Sequence, residues 1–103
     1  MAQLPLSLDY IRQVLAEYFA DKPVQRVEIF ASYARGEATA ESNLNVLLSR
    51  IPDSKLNLFD LVDYKADLEQ RLQVSVDLEN QIDPYIRRYI KKEIMIAYEK
   101  AAT

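Results

Sequence analysis

The spacing of apolar residues changes several times along the chain, and each change marks an element. Leu8, Ile11, Val14, Leu15, Tyr18 and Phe19 recur at intervals of three and four, which places them on one helical face, with Ser7 ahead of them as a cap. Pro23 stops that helix. From Val24 to Phe30 the period falls to two, with Val27 and Ile29 on one side of a β-branched strand. A second strand fits Asn43 to Ser49, where Leu44, Val46 and Leu48 point one way and Asn43, Asn45 and Leu47 the other. The small and polar connection between these strands is longer than a hairpin turn, and connections of that kind often carry function.

Pro52, Asp53 and Ser54 mark a loop, after which Leu58, Leu61, Val62, Leu68 and Leu72 outline a second long helix. Val74 to Glu79 reads as a third strand, with Val74 and Val76 opposed to Ser75 and Asp77. Pro84 suits the start of a helix, and Ile86, Ile90, Ile94, Ala97 and Tyr98 supply the apolar stripe of a final one. The order is helix, strand, strand, helix, strand, helix. It predicts one α/β (α+β) domain over residues 1–103, a small three-stranded mixed sheet backed by helices.

Composition narrows the chemistry. The 103 residues are 50% hydrophobic and 28% charged, as expected of a folded globular chain. There is no Cys and no His, which removes thiolate nucleophiles, imidazole ligands and every Ser-His or Cys-His arrangement. With Gly36 as the single glycine, neither a Walker loop nor a Gly-x-Gly-x-x-Gly turn can be written. The net charge of −3 argues against direct nucleic-acid binding over the whole surface. No stretch approaches the ~20 apolar residues of a membrane span, and a signal-peptide pattern is absent, so the expected location is cytoplasmic with no membrane partner.

The informative segment runs Phe30-Ala31-Ser32-Tyr33-Ala34-Arg35-Gly36-Glu37-Ala38-Thr39-Ala40-Glu41-Ser42-Asn43-Leu44-Asn45-Val46. It resembles the signature of the DNA polymerase beta-like nucleotidyltransferase superfamily, Gly-Ser, ten residues, then Asp-any-Asp on a strand. Ala31-Ser32 is followed here by ten residues and then Asn43-Leu44-Asn45. The stretch from Ser32 to Ser42 is especially similar to the minimal nucleotidyltransferases (MNT), antitoxins paired with HEPN ribonuclease toxins. Val76-Asp77-Leu78 is similar to the family's third-carboxylate strand, and Ile86-Arg87-Arg88-Tyr89-Ile90-Lys91-Lys92-Glu93 to its closing helix.

The resemblance implies a polymerase beta-like core and an enzyme that transfers AMP from ATP, with Mg2+, onto a tyrosine of a HEPN-type ribonuclease toxin. Two acids at i and i+2 of a strand share a face, and a third on the neighbouring strand completes a cluster able to hold two divalent cations. In this chain the positions so implied are Asn43, Asn45 and Asp77 for catalysis and metal, and Ala31, Ser32 and Arg35 for nucleotide. Asn is neutral and offsets a cation's charge poorly, so three formal negative charges become one. Ala31 adds a methyl group where the family uses Gly to let backbone approach phosphate. The expectation is an adenylyltransferase scaffold with its metal site disabled and with weak or no binding of ATP and Mg2+. The alternative is a pseudoenzyme or binding module that neutralises its partner by contact. Asp to Asn and Gly to Ala are the small changes an experimenter makes to silence an enzyme without unfolding it, and deliberate inactivation is the expected origin; natural loss is the competing account.

Blander readings accompany each residue. Asn43 and Asn45 alone would be solvent-facing strand residues, and Asp77 an ordinary strand-end acid. Arg35 and Glu37 fit a loop ion pair as well as a phosphate or partner contact. Ser32 could cap the short helical turn after it. Arg87, Arg88, Lys91 and Lys92 form a basic stripe that most often means a solvated helix face.

Overall fold

In a computed structural model, residues 5–80, 85, 87, 88 and 93–100 are described. Helix α1 (Leu8–Phe19) begins where Ser7 accepts a hydrogen bond from the Tyr10 N–H at 3.1 Å. Strand β1 (Val24–Phe30) follows, then a one-turn helix α2 (Ser32–Arg35), strand β2 (Leu44–Arg50), helix α3 (Leu58–Leu72), strand β3 (Val76–Glu79) and strand β4 (Met95–Glu99). Helix α3 opens with a capping box: Asn57 accepts from the Asp60 N–H at 2.9 Å, and Asp60 accepts from the Asn57 N–H at 3.1 Å.

The strands form one sheet in the order β3-β2-β1-β4. β2 pairs antiparallel with β1 and parallel with β3, and β4 pairs antiparallel with β1, so the sheet is mixed. Val27, Ile29, Leu44, Val46, Leu48 and Val76 are fully buried on one face. They pack beneath Ile11, Leu15 and Phe19 of α1 and Leu68 and Leu72 of α3. Tyr18, Phe19 and Tyr64 meet edge to face, with ring centroids 5.0 to 5.9 Å apart, where the two helices come together. Among the described residues, no helix is long and apolar enough to cross a membrane.

Three expectations need correction. The sheet has four strands rather than three, because Ala97 and Tyr98 belong to β4 instead of the last turns of a closing helix. Ile94 to Tyr98 is apolar at every position, so helical and strand periods fit it equally, and the unpaired edge of β1 decides. Tyr85, Arg87 and Arg88 do have helical backbone; the expected helix positions Pro84, Ile86, Ile90, Lys91 and Lys92 lie outside the described residues. The second correction concerns α3, whose buried stripe is Leu61, Tyr64, Leu68 and Leu72, leaving Leu58 and Val62 exposed. The third strand is also shorter than expected, since Val74 and Ser75 precede β3.

Candidate active site

The segment after β1 is built around an unusual backbone. Ala31 has φ 66° and ψ −143°, a combination that is close to glycine-only because Cβ crowds the neighbouring carbonyls. Gln73, by comparison, sits at φ 60° and ψ 33°, an ordinary left-handed helix end. The strained alanine therefore stands where the resemblance places a glycine, and geometry independent of the motif asks for one there. The Ala31 carbonyl accepts from the Arg35 N–H at 3.0 Å and closes the turn. Ser32 is the first residue of α2 and not its cap; Ala31 holds the cap position, without a side-chain hydrogen bond. Gly36, at φ 75°, ends α2 in the left-handed region that favours glycine.

Arg35 is already engaged. Its Nε donates to Glu37 at 3.3 Å and its Nη1 to Glu93 at 3.1 Å, so the loop ion pair is formed and extended toward β4. Thr39 N–H donates to Ser42 Oγ at 2.8 Å, and the Ser42 N–H to the Thr39 carbonyl at 3.1 Å. That small loop delivers Asn43 to the start of β2.

Register then brings the expected residues together. Asn45 is the partner of Phe30 on β1 and of Asp77 on β3, so Asn45 and Asp77 lie side by side across β2 and β3, with Ser32 two residues beyond Phe30. Asn43, two positions before Asn45, donates from Nδ2 to Asp77 Oδ2 at 3.3 Å. A neutral amide thus faces the carboxylate where a cation would need another anion. Two amides and one carboxylate do not fit a pair of divalent cations, and among the described residues no group of three or more acidic, His or Cys side chains could hold a metal.

The same face carries a pair that the sequence did not reveal. Glu28, partnered with Leu47 on β2 and Ile96 on β4, is only 3% exposed. Arg87 Nη2 donates to both of its carboxylate oxygens at 3.3 Å, and Arg26 Nε lies 3.9 Å from one of them. Arg87, expected on a solvated basic stripe, instead ties the closing segment to β1 beside the Asn45–Asp77 rank. A charge on the polar side of a strand ordinarily signals solvent; nothing in the strand itself shows that a residue 59 positions later covers it.

No family model matches the chain. A Methanocaldococcus jannaschii protein named for protein adenylyltransferase activity is 37% identical over 76 residues, covering 70% of this chain and 74% of the relative. The solved structure of a minimal nucleotidyltransferase superposes with a TM-score of 0.74 at 28% identity, over 90% of this chain and 98% of that one. A Shewanella oneidensis complex of a tri-AMPylated HEPN toxin with its MNT antitoxin matches in fold, with a TM-score of 0.68 at 11% identity over 90% of this chain and 73% of that one. The glycine-like backbone at Ala31, the ten-residue spacing to Asn43 and these relationships agree, and the chain belongs to the minimal nucleotidyltransferase family of protein adenylyltransferase-like proteins.

Proposed function

We propose that the chain is an antitoxin-type adenylyltransferase scaffold whose partner is a HEPN-type ribonuclease and which, as it stands, does not transfer AMP. The observation that carries this reading is the grouping of Asn43, Asn45 and Asp77 on one sheet face, with a single carboxylate among them. An in-line attack on a nucleoside triphosphate needs developing charge to be offset at both the attacking and leaving oxygens. One exposed carboxylate bonded to an amide does not hold the ions that would do so, and the triphosphate brings further negative charge. Asp77 retains the capacity to accept a proton or hydrogen bond; in this reading Ser32 and Arg35 meet phosphate, Arg35 only by leaving Glu37 or Glu93.

Neutralisation by contact is the second reading. The neutral amide pair on an otherwise intact scaffold favours it, since binding a partner needs the fold and not the metal. Intact-mass spectrometry of a HEPN ribonuclease after incubation with the chain, ATP and magnesium separates the outcomes. An unmodified partner with suppressed ribonuclease activity supports contact neutralisation, an unmodified and active partner supports an idle scaffold, and the discrete added mass of AMP contradicts the loss of transfer.

A further inference from the structure

Strand β3 is an outer strand of the sheet, four residues long and, among the described residues, paired only with β2. Leu44 and Val76 are register partners, and the Leu44 N–H donates to the Ser75 carbonyl at 2.8 Å. In a parallel ladder that arrangement turns the backbone groups of Val76 itself toward the open edge. Both are taken by side chains of α3. Glu69 Oε2 accepts from the Val76 N–H at 2.9 Å, and Lys65 Nζ donates to the Val76 carbonyl at 2.7 Å. Lys65 Nζ also donates to Glu69 Oε2 at 3.0 Å, closing a ring around one peptide residue. The next residue is Asp77.

We infer that Lys65 and Glu69 are positioning residues for Asp77. The buried Val76 side chain sets the depth of β3 against the core, and the ladder to β2 holds one side of the strand. Gripping the N–H and the C=O of Val76 from the side opposite β2 holds the other side as well, and so fixes where the exposed Asp77 side chain sits relative to positions 43 and 45. The clamp also closes part of an edge that would otherwise invite strand pairing. The inference rests on the reading of Asp77 as the surviving member of the family's carboxylate cluster.

The test is NMR of the chain as it exists. In Glu69→Ala, the Val76 amide exchanges about tenfold faster or more, and the Asp77 carboxyl and Asn43 side-chain amide signals move, while protection at Leu15 and Ile29 is kept. Glu69→Gln, which retains an acceptor, restores all three signals. Lys65→Met keeps the aliphatic stem, and moves the Asp77 and Asn43 signals in the same direction; it decides the matter if Glu69→Ala does not fold. Unchanged Asp77 and Asn43 signals in a folded clamp variant overturn the inference. A second arm uses Ala31→Gly/Asn43→Asp/Asn45→Asp with a HEPN ribonuclease. There Glu69→Ala lowers kcat about tenfold, leaves KM for ATP unchanged and is rescued by Glu69→Gln. Equal kcat with and without the clamp counts against it. If the triple variant transfers nothing, the functional reading fails while the NMR arm still decides the clamp.

Discussion

The methyl group of Ala31 is held in backbone space that costs a residue with Cβ about 1–3 kcal/mol, less what glycine loses in unfolded-state entropy. Ala31→Gly is therefore expected to raise unfolding free energy by about 1 kcal/mol, read as a higher denaturant midpoint at unchanged slope. A lower midpoint would mean that the turn does not need glycine. Glu69 supplies a pH signature. The Val76 N–H, and secondarily Lys65, hold its carboxyl below the ordinary glutamate value. Its folded pKa is lowered, so its contribution is complete above the unfolded value near ~4.3 and fades as pH falls through the folded value. Urea titrations should show Glu69→Gln destabilised at neutral pH, with the gap to the parent closing below about pH 4; a gap independent of pH contradicts the linkage. Strand alternation made the shared face of Asn43 and Asn45 legible in sequence, and the family resemblance added Asp77 to them. The strain at Ala31 was legible only as a departure from a motif, since backbone angles are not written in composition.

At the level of elements, the ion pair of Arg87 with Glu28 ties the closing segment to the sheet. Removing a single partner of a buried pair strands a charge, whereas removing both does not. Arg87→Met should cost roughly 2 kcal/mol, discounted from fully buried cases because Arg87 is 41% exposed, and Glu28→Gln in the same chain should recover part of it. Additive losses in that double-mutant cycle would show that the pair is not coupled. Helix α3 offers a cleaner local test: Asn57→Ala removes the capping box and should cost about 1 kcal/mol in thermal or denaturant unfolding. The helices and first two strands were readable because Leu8 to Phe19 and Val24 to Phe30 each obey one period. Strand β4 was not, because Ile94 to Tyr98 obeys both and its choice is made by a distant edge. The same limit applies to α3, where Leu58 and Val62 extend the apolar pattern onto the exposed face without meeting the core.

At the scale of the whole molecule, the fold brings positions 43, 45 and 77 together with a single carboxylate among them. Catalytic groups that act as a unit give strongly non-additive effects. Ala31→Gly/Asn43→Asp/Asn45→Asp together should therefore restore labelled AMP transfer to a HEPN ribonuclease, with Asp77→Ala abolishing it, whereas either Asp alone should leave the chain nearly inert. The restored acid cluster should also destabilise the metal-free protein through like-charge repulsion, relieved by magnesium. The most direct measurement needs no partner: calorimetric titration of the chain and of the triple variant with ATP, each with and without magnesium. The account predicts little heat from the chain under either condition and magnesium-dependent binding by the triple variant. Tight, magnesium-dependent binding of ATP by the chain as it stands would contradict it, because the amides of Asn43 and Asn45 would then suffice.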